Sequence, residues 1–144
     1  MIINKKKKIV IASGYFNPLH KGHIEYLNKS KSLGEFLYVI VNSDYQRNLK
    51  GSKEFQSENE RLLIIENLKC VDFALIAIDN DRTVKESIKK IFIENNKTYD
   101  FVFTNGGDQF FTNSPETKIC KELNIETVDC LGDKIQSSSY LLRK

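Results

Sequence analysis

The chain has 144 residues and a formal net charge of +3 at pH 7. This length suits one domain over residues 1–144 that buries about two thirds of its unfolded surface. The charge is too small to indicate a nucleic-acid-binding protein, and no apolar run approaches the roughly 20 residues of a membrane-spanning helix. Residues 1–8 read MIINKKKK, without the apolar segment of a signal peptide. We therefore expect a cytoplasmic protein whose partners include neither nucleic acid nor membrane.

The three cysteines are an odd number without the spacing of a disulfide framework. We expect reduced thiols, with Cys70 and Cys120 as small core residues. His20 and His23 could supply two zinc ligands, but the cysteines show no paired spacing, so no protein-bound metal is predicted.

Short apolar runs alternate with amphipathic stretches along the chain, which predicts alternating strands and helices. The predicted strands are 8–12, 36–41, 73–78, 101–104 and 126–129. We expect the lysines at 5–8 to begin the first strand rather than to form a basic arm. The first predicted helix covers about residues 21–33 and ends before Gly34, a typical residue just beyond a helix C-terminus.

Three more helices are predicted from caps and apolar spacing. Ser57 with Glu60 three residues later reads as a capping box. Ser114 followed by Pro115 is an N-cap with proline in the first helical position, and this helix should reach about residue 123. Between these two, the apolar positions 84, 88, 91 and 92 form the stripe of a helix that packs on a sheet.

This alternation predicts an α/β fold, a Rossmann-like doubly wound parallel five-stranded sheet with helices on both faces. In such folds ligands bind at the carboxyl ends of the strands. No Gly-x-Gly-x-x-Gly follows the first strand, which argues against a dinucleotide-binding domain.

Both histidines of the chain lie in one tetrapeptide at the predicted start of the first helix, inside residues 13–23, which read SGYFNPLHKGH. A helix N-terminus attracts anions through its unpaired N–H groups and its dipole. Histidines three residues apart share one face of the first turn, where each can donate a hydrogen bond or, when protonated, a charge to phosphate. Gly22 leaves room for a ligand, and Gly14 relaxes the backbone at the strand end. The alternative is a capped, solvated helix start.

These residues resemble the nucleotidyltransferases of the cytidylyltransferase-like superfamily, whose signature is His-x-Gly-His after a first strand. The preceding Gly-x-Phe-Asn-x-Leu strengthens the resemblance, which spans almost the whole chain. Further matching runs are VNSD at 41–44, LKG at 49–51, ER at 60–61, VD at 71–72, GGD at 106–108 and SSS at 137–139.

The resemblance implies that a substrate phosphate attacks the α-phosphorus of a nucleoside triphosphate, and that pyrophosphate leaves. It implies catalytic roles for His20, His23 and Lys50, with Lys50 on a mobile loop, and Mg²⁺ bound with the triphosphate. The partners it implies are a nucleoside triphosphate, a small phosphorylated acceptor and a second copy of the chain in a homodimer. The implied nucleotide-binding residues are Gly14, Tyr15, Phe16, Asn17, Lys21, Gly22, Arg61, Gly107, Asp108, Ser137, Ser138 and Ser139.

Several of these positions have a plain structural alternative. Lys50 could be a solvated lysine, and Arg61 could pair with Glu58 or Glu60 on a helix surface. Asp108 could be a turn residue, and the serines at 137–139 could simply cap a final short helix.

Two branches of the superfamily compete for the acceptor. The matching runs look most like adenylyltransferases acting on heptose 1-phosphate. The alternative is a CTP-dependent cytidylyltransferase acting on glycerol 3-phosphate or choline phosphate, but the arginine of its Arg-Thr-x-Gly is absent from residues 132–136. Asn17 also replaces the usual Asp, and the Arg-Pro that often follows Leu-Lys-Gly is missing. A hypothesis of another class is a non-catalytic nucleotide-binding protein.

Overall fold

A five-stranded parallel sheet forms the centre of the fold in a computed structural model, which describes residues 6–106 and 114–131. The strands are β1 (Lys7–Gly14), β2 (Phe36–Val41), β3 (Phe73–Ile76), β4 (Tyr99–Gly106) and β5 (Glu126–Leu131). Their order is β3-β2-β1-β4-β5, and every neighbouring pair is parallel. The chain therefore starts in the middle of the sheet and winds outwards in both directions, which confirms the doubly wound fold.

The described residues form five helices: α1 (Lys21–Lys31), α2 (Asp44–Lys50), α3 (Glu58–Glu66), α4 (Lys85–Asn95) and α5 (Pro115–Glu122). Helices α1 and α3 pack on one face of the sheet, and α4 and α5 pack on the other. Alternate residues of β1 point to opposite faces. Ile9 and Ile11 join the core under α4 and α5, and Val10 and Ala12 join the core under α1 and α3. We call these the α4 face and the α1 face.

Helix α2 is absent from the sequence prediction, which placed a mobile loop here. Its signal is local: Ser43 and Gln46 form a capping box, and Gly51 ends the helix in the left-handed region with a φ of 80°. Lys50 is the last residue of this helix. The loop assignment is therefore wrong, because the motif residues at 41–44 also cap a helix.

The other predicted helices form, with changes at their ends. Helix α1 stops at Lys31, two residues earlier than predicted, and Gly34 lies beyond the Ser32 cap. The Ser57 hydroxyl accepts from the Glu60 N–H, but the return bond of the predicted capping box is missing, and the Glu60 carboxylate accepts from Gln56 instead. Ser114 caps α5 as predicted.

Within the described residues, Cys70 and Cys120 are free thiols, with Cys120 fully buried in the α4-face core and Cys70 packed against the α1-face core. Burial raises the pKa of Cys120 to about 12, so this thiol stays protonated. None of the described helices combines the length and the apolar character needed to cross a bilayer.

Candidate active site

The two histidines form the capping box of α1 themselves. His20 is the N-cap residue, and its Nδ1 accepts a hydrogen bond from the Gly22 N–H at 3.0 Å. His23 lies three residues later, and its Nδ1 accepts from the His20 N–H at 3.1 Å. The two rings stack with their centroids 3.8 Å apart. The first turn therefore uses the Gly22 N–H for its own cap, which leaves this backbone donor unavailable to a ligand.

This cap fixes the proton on each imidazole. A nitrogen that accepts a hydrogen bond cannot carry a proton, so in both neutral rings the proton lies on Nε2. The Nε2 of His20 is buried and has no acceptor among the described residues. A buried donor without a partner is costly, and an incoming phosphate oxygen would satisfy it.

Both histidines are held neutral. Burial lowers the pKa of His20 below its ordinary 6.5. Burial, reinforced by the neighbouring His20 ring, lowers the pKa of His23 to about 3. Of the two predicted modes of phosphate binding, the structure therefore favours hydrogen-bond donation over a protonated charge.

The lowered pKa of His23 predicts a pH-dependent stability. The unfolded chain takes up protons below pH 6.5 and the folded chain does not, so stability present above 6.5 is lost as the pH falls towards 3. We expect the melting temperature to fall from about pH 7 to about pH 5, and to fall less for His23→Gln. Thermal melts of the two proteins across this range measure the difference, and parallel curves would contradict the assignment.

Phe16 contacts the His23 ring, and Gly14 leaves the space that the Phe16 ring occupies. A Cβ on Gly14 would lie 2.8 Å from the Phe16 ring, so only glycine admits that ring at the end of β1. Phe16 is buried, adopts an unusual φ of 52°, and meets the His23 ring edge-on at 5.0 Å. The predicted nucleotide-binding residues Gly14 and Phe16 thus position a histidine, and a direct contact with the nucleotide stays a prediction.

Asn17 forms three hydrogen bonds with the segment that precedes α3. Its Oδ1 accepts from the N–H groups of Phe55 and Gln56, and its Nδ2 donates to the Lys53 carbonyl at 2.9 Å. An aspartate could accept the same two bonds but could not donate the third, which gives Asn17 a structural reason to replace the family's Asp.

Arg61 is the buried hub of the site. Its side chain has no solvent exposure, and Asp44 pairs with it at 2.8 Å. The structural alternative, a surface pair with Glu58 or Glu60, does not form, because Arg61 is buried and its acidic partner is Asp44; a contact of Arg61 with the nucleotide stays a prediction. The guanidinium donates to the backbone carbonyls of Tyr15, Asn42 and Gln56 at 2.8, 2.7 and 3.0 Å. Arg61 therefore joins the loops after β1 and β2 to the start of α3.

Tyr26 separates the carboxyl ends of β1 and β4. The backbone pairing of β1 with β4 ends at Ile11 and Phe103, although β1 extends to Gly14 and β4 to Gly106. Beyond that point the Tyr26 hydroxyl donates to the Thr104 carbonyl at 2.7 Å and accepts from the Ser13 N–H at 3.3 Å. Burial raises the pKa of Tyr26 to about 12, so the hydroxyl keeps its proton. Because Tyr26 belongs to α1, these hydrogen bonds fix the helix that carries the histidines next to the gap between the strands.

A cavity of about 360 Å³ opens at this gap, on the α4 face. Val84 and Phe103 give it an apolar floor, and Glu116 is held there by accepting the Val84 N–H at 3.0 Å. Neither histidine is among the described lining residues. The polar lining comes from Ser13, Tyr15, Asn42, Arg82, Asn105, Ser114 and Glu116.

Lys50 and Lys21 occupy different environments. The Nζ of Lys50 lies 4.5 Å from the centre of the Tyr15 ring, next to the cavity. Burial and the charge of Arg82 lower the pKa of Lys50. Lys21 lies on the surface of α1, where it pairs with Glu25 at 3.9 Å. The structure thus brings Lys50, but not the Lys21 ammonium, into contact with Tyr15, which lines the cavity.

Five predicted site residues lie outside the described residues and stay predictions: Gly107, Asp108, Ser137, Ser138 and Ser139. Sequence reasoning missed Asp44 as the partner of Arg61, Tyr26 as a spacer and Arg82 as a cavity residue. Tyr26 carried a weak signal, because it follows His23 by three residues on the same helix face. Arg82 carried none.

The described residues contain no group of three or more side chains able to hold a metal ion. A divalent ion such as Mg²⁺ commonly binds through substrate phosphates with one or two carboxylates.

The sequence matches a family model described as cytidylyltransferase-like over residues 11–138. FAD synthase of Picrophilus torridus is 33% identical over 141 residues, which cover 94% of this chain and 94% of that protein. Bifunctional protein HldE of Helicobacter pylori strain HPAG1 is 42% identical over 82 residues, which cover 56% of this chain and 18% of HldE.

Two solved structures are also similar to this chain. The lipopolysaccharide core biosynthesis protein of Thermoplasma volcanium superposes with a TM-score of 0.67 at 31% identity, covering 88% of this chain and 98% of that one. A bifunctional NMN adenylyltransferase/ADP ribose pyrophosphatase of Francisella tularensis, solved with AMP and a manganese ion, has a TM-score of 0.68 at 13% identity and covers 95% of this chain and 41% of that one. At that identity the likeness concerns the fold alone.

Proposed function

The chain belongs to the cytidylyltransferase-like family of nucleotidyltransferases, and we propose that it transfers an adenylyl group from ATP to a sugar 1-phosphate such as heptose 1-phosphate. The observation that carries this proposal is the pair of stacked neutral imidazoles at the start of α1, where the buried Nε2–H of His20 has no acceptor among the described residues. Such a donor suits a phosphate chain that gains charge during reaction.

The chemistry needs no protein nucleophile. A phosphate oxygen of the acceptor bonds to the α-phosphorus of ATP, the bond from that phosphorus to the bridging oxygen breaks, and pyrophosphate takes the electron pair. His20 and His23 hydrogen-bond the α- and β-phosphates and stabilise the charge that builds on the bridging oxygen. Mg²⁺ enters with ATP and offsets charge on the leaving group.

Three observations support a sugar acceptor. The runs at 41–44, 49–51 and 106–108 look most like the heptose 1-phosphate branch. The relative from Thermoplasma volcanium is named for lipopolysaccharide core biosynthesis, a context that involves sugars. The cavity between β1 and β4 is lined mainly by hydroxyl, amide and charged side chains, which suit the hydroxyl groups of a sugar.

FMN is the second candidate acceptor. The full-length match to FAD synthase favours it, because joining an adenylyl group to the FMN phosphate gives FAD. Both acceptors require the same attack by a phosphate oxygen, so the histidines do not discriminate between them.

A matrix of nucleotides and acceptors tests the proposal. ATP or CTP is mixed with Mg²⁺ and heptose 1-phosphate, glycerol 3-phosphate or FMN, and pyrophosphate release and product mass are measured. We expect ATP with the sugar 1-phosphate to give the highest kcat/KM, by about tenfold or more. A higher kcat/KM with FMN would show that FMN is the acceptor. A higher kcat/KM with CTP would show that CTP is the nucleotide substrate.

A further inference from the structure

The hydroxyl of Tyr26 takes the place of one hydrogen bond between β1 and β4. The Gly14 carbonyl accepts from the Asn42 N–H, so the backbone groups of Gly14 face β2. Backbone groups of successive strand residues point to opposite sides, and the Ser13 N–H therefore faces β4. It donates to the Tyr26 hydroxyl at 3.3 Å, and this hydroxyl donates to the Thr104 carbonyl of β4 at 2.7 Å.

The register of the two strands identifies these groups as the next pair of the ladder. Strand β1 pairs with β4 up to Ile11 and Phe103, and two further residues would bring Ser13 opposite Asn105. In a parallel ladder the N–H of a residue bonds the carbonyl of the residue before its partner, which here is Thr104. A hydroxyl oxygen between this donor and this acceptor keeps them farther apart than the roughly 2.9 Å of a direct bond.

The cavity lies where this separation begins. The end of β1 contributes Ser13 and Tyr15 to its lining, and the end of β4 contributes Phe103 and Asn105. One further hydrogen bond between the strands would draw these two walls together. The space for a ligand at this edge of the sheet therefore depends on the Tyr26 hydroxyl.

Tyr26 also fixes the histidines relative to the strand ends. It follows His23 by three residues, so the two side chains share one face of α1. Ser30, one turn further along α1, bonds the Thr104 hydroxyl at 2.9 Å. Both contacts join α1 to β4, and the contact of Tyr26 also reaches β1. A displacement of about 1 Å in a reacting geometry can cost about a hundredfold in rate, so the position of α1 matters for its imidazoles.

We propose that Tyr26 is a positioning residue for nucleotidyl transfer: its hydroxyl holds the ends of β1 and β4 apart and keeps the histidines of α1 in place beside the gap. This inference rests on the proposed function and deepens it. Without the hydroxyl, the Ser13 N–H and the Thr104 carbonyl lose this partner and bond each other directly. The ladder then gains one hydrogen bond and the cavity narrows, so the protein folds but turns over slowly.

Tyr26→Phe tests the proposal, because it removes only the hydroxyl from a buried ring. We expect a scalar coupling through a hydrogen bond, from the Ser13 amide nitrogen to the Thr104 carbonyl carbon, in the NMR spectrum of Tyr26→Phe and not in that of wild type. With ATP and the acceptor of highest turnover, kcat should fall by at least about tenfold. The KM for ATP should change by less than about threefold, because no group assigned to ATP is removed.

Ser30→Ala is the matched control. It removes another buried hydroxyl from α1 but leaves the bridge from Ser13 through Tyr26 to Thr104 in place. We expect its melting temperature to fall by about 2–5 °C and its kcat to stay within about twofold of wild type. An equal loss of kcat in Ser30→Ala would overturn the assignment to Tyr26.

Three other results would also overturn the proposal. They are the coupling in wild type, its absence from Tyr26→Phe, and a wild-type kcat in Tyr26→Phe. If wild type turns over none of the tested acceptors, the proposed function fails, and the NMR measurement alone decides whether the Tyr26 hydroxyl holds the strands apart.

Discussion

Alanine at His20 or His23 should lower kcat by about a hundredfold or more, because each change removes a donor to charge that develops in the transition state. The KM for ATP should change less, because the donors act most strongly on the reacting state. Pyrophosphate release under saturating substrates measures the effect. Wild-type turnover in the double alanine variant would exclude this role for both residues.

The same substitutions also remove hydrogen bonds of the α1 cap, so each variant loses stability as well as a phosphate donor. Loss of an N-cap costs about 1 kcal/mol of stability. His20→Asn separates the two effects, since an asparagine oxygen can accept the Gly22 N–H but the side chain does not extend to the Nε2 position. We expect this variant to keep its melting temperature and still lose about a hundredfold in kcat.

Ser57→Ala is the matched control for the cap. It removes the cap of α3, where Ser57 accepts from the Glu60 N–H. We expect it to lose about 1 kcal/mol of stability and to keep kcat. Intact activity in His20→Asn would show that the imidazole matters only as a cap.

Arg61→Met should destabilise the protein by about 3–5 kcal/mol, because it removes a fully buried guanidinium that pairs with the partly exposed Asp44 and donates to three backbone carbonyls. Methionine fills similar space but leaves the carbonyl oxygens of Tyr15, Asn42 and Gln56 without their donor. The melting temperature should fall by roughly 10 °C for a domain of this size. Urea unfolding gives the free energy, and the slope with urea should stay unchanged.

Glu60→Ala is the neighbouring control, because Glu60 is exposed on the same helix turn. Its effect should stay within about 0.5 kcal/mol. Arg61→Lys keeps the charge but cannot reproduce the planar fork, so we expect an intermediate loss. A loss below about 1 kcal/mol in Arg61→Met would show that water replaces the guanidinium at little cost.

The sequence by itself determined the features that depend on near neighbours in the chain. Short apolar runs, amphipathic stretches and helix caps identified all five strands and four of the five described helices. The histidines at the start of α1 were equally readable, because a strand, a turn and a helix start lie within residues 7–23. Helix α2 was missed although Ser43, Gln46 and Gly51 carried its cap signals, since the Leu-Lys-Gly run was interpreted as a loop.

Only the tertiary structure decided which distant residues meet. The sequence left Arg61 either as a nucleotide-binding residue or as a surface partner of Glu58 or Glu60, yet its acidic partner is Asp44, 17 positions away. Tyr26 bonds Thr104 across 78 positions, and no periodicity links the two. Arg82 and Tyr15 line the same cavity because the loops after β3 and β1 lie at the same edge of the sheet. Local propensity fixes which segments form strands and helices, whereas a buried cation or hydroxyl finds its partner only after those segments have packed.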